Sequence, residues 1–253
     1  MAGDFTKRFS DRVQDYVKYR PGYPGEVLNY LMDQCKLTPD CTLADIGAGT
    51  GIFTKLLLDR GFSVYAVEPN GPMLQAATDQ LSSYKNFRSV NGTAEITGLE
   101  ENSIDLIVCA QAFHWFDNDA SKKEFQRILK KGRYVALIWN KRLKSIDDFS
   151  KSYDQLLISK TIEYTQVNHQ NISDVNFKIF FKDGSYLLKK FNNVQIFNEE
   201  GFIGRAFSSS YVPALSTPEG KVILTALKEI FSRYNSEGKV SFHYETEIYL
   251  GKV

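Results

Sequence analysis

The sequence predicts an α/β fold: a doubly wound, mostly parallel sheet with helices on both faces. Three observations carry that expectation. Short apolar runs alternate with stretches of helical period from residue 42 onward. The cluster Gly47-Ala48-Gly49-Thr50-Gly51 ends the first run and opens a helix. The run Ile104–Cys109 is apolar almost throughout, as a strand covered on both faces should be. Alternation at this spacing means parallel strands joined by helical crossovers.

Two short helices are expected before residue 40, the first carrying Val13, Tyr16 and Val17 on one face, the second Val27, Leu28 and Leu31. Arg20-Pro21-Gly22-Tyr23-Pro24 separates them, because proline restricts itself and the residue before it. Strands are expected at Thr42–Ile46, Ser63–Val67, Phe87–Val90, Ile104–Cys109 and Tyr134–Trp139. Helices fall between them at Ile52–Asp59, Pro72–Leu81 and Asp119–Lys130. Phe149–Tyr164 reads as a helix with Tyr153, Leu156 and Leu157 on one side, and Asn192–Phe197 as a strand. The stretch between those two, and Gly201–Pro213, receive no assignment. Gly220–Tyr234 is a helix by the recurrence of Ile223, Leu224, Leu227, Ile230 and Phe231. The final residues alternate, with Phe242, Tyr244, Thr246, Ile248 and Leu250 facing one way, which makes a seventh strand.

The 253 residues carry 31 Lys+Arg against 30 Asp+Glu, a net charge of +1. That balance argues against a protein whose main work is gripping nucleic acid or an anionic membrane. No apolar run reaches the roughly 18–20 residues of a membrane helix. The charged start MAGDFTKRFSDR lacks a signal core. Three cysteines (35, 41, 109) and three histidines (114, 169, 243) show neither a disulfide framework nor metal-site spacing. A soluble, cytoplasmic protein without a metal is expected, and Cys109 inside its strand is inert filling.

The glycine loop is the chemical signal. Glycines let the backbone pass close to a ligand. The helix that follows offers free N–H groups to an anion. The dinucleotide pattern G-x-G-x-x-G requires glycine at 52, where this chain has Ile52. Asp45 precedes the loop, and Glu68 ends the second strand, where a carboxylate can accept from both hydroxyls of an adenosine ribose.

Five segments together resemble the class I S-adenosylmethionine-dependent methyltransferases, in the small-molecule group related to ubiquinone-biosynthesis and trans-aconitate methyltransferases. They are Ala44–Thr54 (ADIGAGTGIFT), Val64–Leu74 (VYAVEPNGPML), Gly92–Glu95 (GTAE), Asp105–Phe116 (DLIVCAQAFHWF) and Leu129–Asn140 (LKKGRYVALIWN). The leader Tyr16-Val17-Lys18-Tyr19-Arg20-Pro21 resembles such enzymes too. Past residue 142 only architecture matches.

The resemblance implies a Rossmann-like, seven-stranded sheet with an antiparallel last strand, in one domain spanning 1–253. Residues 1–40 would form a helical lid and 141–215 a partly irregular acceptor wall. The implied cofactor is S-adenosylmethionine. Gly47, Ala48 and Gly49 would line its methionine half, with Asp45 behind the loop near its amino group and Arg20 on its carboxylate. Glu68 would hold the ribose, Pro69 and Met73 would flank the adenine, and Ala94 and Glu95 would meet its edge. Family members often carry Asp where this chain has Glu95. Gln111 belongs to the same cofactor set.

His114 is the candidate general base, or else part of the pocket wall with Phe113, Trp115 and Phe116. Trp115, Arg142, Arg205 and Tyr211 are acceptor-pocket candidates. Aromatic residues at 16, 19, 23, 115, 153, 180, 181 and 211 suit an apolar or flat acceptor. An Asn/Asp-Pro-Pro-aromatic motif after the fourth strand and a Pro-Cys nucleophile are both missing. A small-molecule acceptor is therefore expected rather than nucleic acid. A cofactor-binding regulator without turnover would share the same residues.

Overall fold

The computed structural model describes residues 18–161, 164 and 174–253. The helix expected around Val13, Tyr16 and Val17 lies outside the described residues. The chain runs α1 (Gly25–Cys35), β1 (Thr42–Ile46), α2 (Ile52–Asp59), β2 (Ser63–Val67), α3 (Gly71–Leu81) and β3 (Phe87–Val90). There follow β4 (Ile104–Ala110), α4 (Asn118–Ile128), β5 (Leu129–Arg142), α5 (Asp148–Lys160) and α6 (Asp174–Phe180). It ends with β6 (Tyr186–Phe197), α7 (Glu199–Phe207), α8 (Pro218–Tyr234) and β7 (Val240–Gly251).

The strands form one seven-stranded sheet in the order β3-β2-β1-β4-β5-β7-β6. Strands β1 to β5 pair in parallel, and β7 runs antiparallel to both β5 and β6. This is the doubly wound, Rossmann-like sheet with an antiparallel last strand. One face is sealed by Leu28 and Leu31 of α1 and by Phe53 and Leu57 of α2, packed on Leu43, Val64 and Leu106. The other is sealed by Phe125 and Ile128 of α4 and by Phe177 and Phe180 of α6, packed on Ile107, Val135 and Leu137. A third cluster joins α5, α7 and α8 to β7 through Tyr153, Phe202, Leu227 and Phe242.

Local chemistry sets the helix starts. Asn70 and Asp117 accept backbone N–H groups at the starts of α3 and α4. Thr217 does the same for α8, with Pro218 in the first turn.

Several boundaries differ from expectation. The helix placed at Asp119–Lys130 stops at Ile128, and β5 begins at Leu129. Its pairing with β4 jumps from Ile104–Leu129 to Leu106–Tyr134. The residues between bulge outward, with Gly132 at φ +81°. At its far end β5 continues through Arg142, because β7 pairs with it as far as Tyr244. Strand β6 starts at Tyr186, six residues before the expected Asn192. Its first half is an exposed edge that pairs only on the β7 side and shows no alternation to read. Helix α5 ends at Lys160 rather than Tyr164. Helices α6 and α7 fill parts of the unassigned stretches. Helices as short as these are carried by tertiary packing more than by pattern.

Candidate cofactor and acceptor site

The carboxyl ends of β1, β2, β4 and β5 open onto a cavity of about 800 Å³. That is the size range of pockets that enclose small-molecule ligands. Gly47, Ala48, Gly49 and Thr50 line it. The loop is fixed to the neighbouring strand, since the Gly47 and Ala48 amides donate to the Val67 carbonyl at 2.8 and 3.1 Å. Gly47 sits at φ +72°, and a Cβ there would stand 2.5 Å from Cβ of Ala112. Any side chain at 47 would therefore be strained by its backbone and would collide with the β4 loop.

Glu68 lines the cavity and is 7% exposed. One carboxylate oxygen accepts from the Gly49 amide at 2.8 Å, and the other from the Asn70 amide at 2.9 Å. A carboxylate has about four lone-pair sites, so two acceptor positions remain. Burial raises its pKa, opposed by the two amides. Asp45 lies behind the loop and is absent from the cavity wall. Its Oδ2 accepts from the Thr54 hydroxyl at 2.6 Å, while Oδ1 has no partner among the described residues. Complete burial raises its pKa to about 7.

Pro69, Met73, Ala94, Glu95 and Gln111 all line the cavity. Glu95 accepts from the Asp117 amide at 2.9 Å, which fixes its reach across the loop before α4. Gln111 holds a left-handed φ of +59° at the end of β4, and its amide donates to Ile138 at 2.8 Å. His114 and Trp115 lie on a single 3₁₀ turn, Phe113–Trp115, and both face the cavity. Their rings sit 4.7 Å apart.

The opposite wall comes from β5, β7, α7 and the leader. Arg20 lines it and donates to the Ser208 carbonyl at 3.1 Å. Arg142 pairs with Asp154 at 2.6 Å and donates to the Tyr164 hydroxyl at 2.8 Å. Its guanidinium also lies 4.9 Å from the Tyr153 ring centre. Arg205, 8% exposed, donates to the Ser209 hydroxyl at 3.1 Å and to the Tyr244 hydroxyl at 3.4 Å. Tyr211 completes this wall, 5.1 Å from the Tyr164 ring. Of the aromatic residues expected to serve an acceptor, Tyr23, Trp115 and Tyr211 reach the cavity. Tyr153 is buried in the third core cluster, Phe180 and Phe181 in the cluster that covers the α6 face, and Tyr19 against Gly204 of α7; Tyr16 is outside the described residues.

Residues 44–137 match the methyltransferase domain family. A methyltransferase of Schizosaccharomyces pombe, itself uncharacterized, is 33% identical over 144 residues, covering 55% of each chain. Over those residues the chain is similar to methyltransferase domains. An uncharacterized methyltransferase of Mycobacterium tuberculosis is 35% identical over 139 residues, 55% of this chain and 54% of its own. The chain thus spans about half the length of the curated relatives it matches. A proposed type II methyltransferase from Anaeromyxobacter dehalogenans shares the fold at a TM-score of 0.68 and 21% identity. That match covers 92% of this chain and 98% of that one. The similarity implies S-adenosylmethionine as the cofactor. The open glycine cradle and the two spare lone pairs of Glu68 fit such a group.

Sequence reasoning missed much of the cavity's far wall: Trp139, Asn140, Lys144, Phe177, Tyr244 and Glu247 also line it. One signal was available for Asn140. It is the first polar residue after an apolar strand, at the carboxyl end where ligands of such sheets bind. It joins three segments: it donates to the Gly22 carbonyl at 3.0 Å, and accepts from Asn193 at 3.1 Å and Thr246 at 2.5 Å.

Proposed function

We propose that the protein transfers the methyl group of S-adenosylmethionine to a small-molecule acceptor by in-line displacement. The observation that carries this reading is Glu68 on the cavity wall beside the Gly47–Gly49 cradle, one strand from the glycine loop. The cofactor supplies a sulfonium methyl that is already activated. The protein's own task is then to hold, to align and to keep water out. Alignment of this kind can supply about 7–11 kcal/mol of a barrier.

Glu68 receives the ribose hydroxyls on its two remaining acceptor positions. Gly47 and Gly49 let main-chain atoms approach the methionine part, with Asp45 buried behind them. Arg20 faces the carboxylate of that part. Pro69 and Met73 flank the adenine, Ala94 and Glu95 meet its edge with Glu95 accepting from the exocyclic amine, and Gln111 braces the cofactor side of β4. Trp115 and Tyr211 bound the acceptor space. His114 acts as a base only for acceptors whose nucleophile starts protonated.

Calorimetry with S-adenosylhomocysteine tests the cofactor assignment. Glu68→Ala should weaken binding at least roughly tenfold, about 1.4 kcal/mol; unchanged affinity would sink the ribose role. His114→Ala should spare that affinity and slow turnover of a protonated acceptor. If turnover survives, His114 is wall alone.

A further inference from the structure

The cavity is polarised. Glu68 and Glu95 line the end built on β2 and β3, whereas Arg142, Lys144 and Arg205 line the end built on β5 and α7, where the wall's carboxylate, Glu247 of β7, is held by Lys190 at 2.9 Å and Lys141 at 3.9 Å. Strands β2 and β5 are three places apart in the sheet, or roughly 14 Å at about 4.8 Å per step. The basic end is thus displaced from the glycine cradle by about the length of a small molecule.

Charge at that end is not balanced within the described residues. Asp154 takes both Arg142 at 2.6 Å and Lys144 at 3.9 Å. No carboxylate among the described residues pairs with Arg205, although it is more than nine-tenths buried. Among the described residues its donors reach the neutral hydroxyls of Ser209 and Tyr244 alone. Arg142 keeps one buried guanidinium nitrogen, Nη1, without an acceptor among the described residues. A buried cation without a counter-ion costs several kcal/mol, and guanidinium forks match oxyanions bidentately.

Resting on the methyl-transfer reading, we propose that the acceptor bears an oxyanion, a carboxylate or a phosphate, bound by Arg205 and Arg142 with Tyr211 beside them. Trp139, Phe177 and Tyr249, all on the cavity wall, offer aromatic surface to the rest of the molecule. Oxygens engaged by two guanidiniums are poor nucleophiles. The anionic group is therefore a handle, and the methyl goes to another atom of the acceptor. In that transfer the nucleophile's lone pair forms the new bond to carbon, the carbon–sulfur bond breaks, and its electron pair stays on sulfur. A proton, where the nucleophile carries one, leaves to solvent or to His114.

The test uses the full chain saturated with S-adenosylhomocysteine, titrated in a calorimeter with benzoate, inorganic phosphate and neutral benzamide. Benzoate or phosphate should bind at least tenfold more tightly than benzamide, and the tighter of the two names the anion class. Arg205→Met should abolish that preference while S-adenosylhomocysteine affinity stays within twofold. Arg205→Lys, which keeps the charge and loses the fork, should retain part of it. Equal binding of anion and amide by the wild-type chain, or no binding of either anion, overturns the proposal without touching the cofactor reading. So does an anion preference that survives Arg205→Met. Failure of the wild-type chain to bind S-adenosylhomocysteine strikes the methyl-transfer reading instead.

Discussion

Around Gly47–Glu68 the cavity wall is main chain and short side chains, pinned by backbone hydrogen bonds to the next strand. Around Arg142–Tyr211 it is long cationic and aromatic side chains, pinned by one another. The first half makes its shape from conformations that only glycine adopts at no cost. The second makes its shape from ion pairs and hydroxyl contacts between segments distant in the chain. Damage should therefore read out differently in the two halves: as lost cofactor affinity in the first, as lost stability and acceptor recognition in the second.

Removing the cation from the central pair of the far half is expected to have the largest effect. Arg142→Met leaves Asp154 half-satisfied in a largely buried place and should cost about 3 kcal/mol of stability by denaturant unfolding. S-adenosylhomocysteine affinity should stay within twofold; a large loss of affinity would erase the distinction between the halves. Next is Gly47→Val, which meets both a positive φ and the Ala112 methyl. It should weaken S-adenosylhomocysteine about a hundredfold, or about 2.7 kcal/mol.

Asp45 sharpens the comparison through pH. Its pKa stands at about 7, well above the ordinary aspartate value near 3.9, because burial disfavours the charge. The folded state thus binds more protons than the unfolded one between those values. Its contribution is full below about pH 4 and is lost as pH rises through about 7. The slope approaches about 1.4 kcal/mol per pH unit. Asp45→Asn should flatten this fall in unfolding free energy measured from pH 4 to 8, and an unchanged slope would assign it elsewhere. The smallest effect is expected at Asn140. Asn140→Ala removes the bonds to Gly22, Asn193 and Thr246, with Asn193 still donating to the Gly22 carbonyl at 2.8 Å, and should cost about 1 kcal/mol. Amide exchange in residues 18–23 should accelerate while exchange in β1 stays the same.

Legibility followed the same division. The loop Asp45–Gly51 and Glu68 lie next to the strands whose ends they mark, so pattern and spacing exposed them together. Arg142, Arg205 and Tyr211 were each picked out singly, yet nothing in the pattern said that they share one wall. Asn140 meets Gly22 across 118 positions and Thr246 across 106. Likewise Gly204 lies so close to the Tyr19 ring that an added Cβ would stand 2.2 Å from it. Such approaches depend on how β6 and β7 close over the sheet, and β6 hides its start because its exposed first half has no period.

The sequence alone determined the alternating strands and helices, the glycine loop with its positive-φ turns, and the acidic residue at the tip of β2. These are consequences of local sterics and of burial on two sheet faces, which a short window contains. Tertiary structure decided the bulge in β5, the extension of that strand to Arg142, and the gathering of Arg142, Arg205 and Tyr211 around one end of the cavity. The antiparallel return of β7 beside β5 brings Tyr244 opposite Arg142, and α7 then sets Arg205 on Tyr244. That convergence is a property of long-range packing, where each side chain's position depends on partners that no local pattern can name.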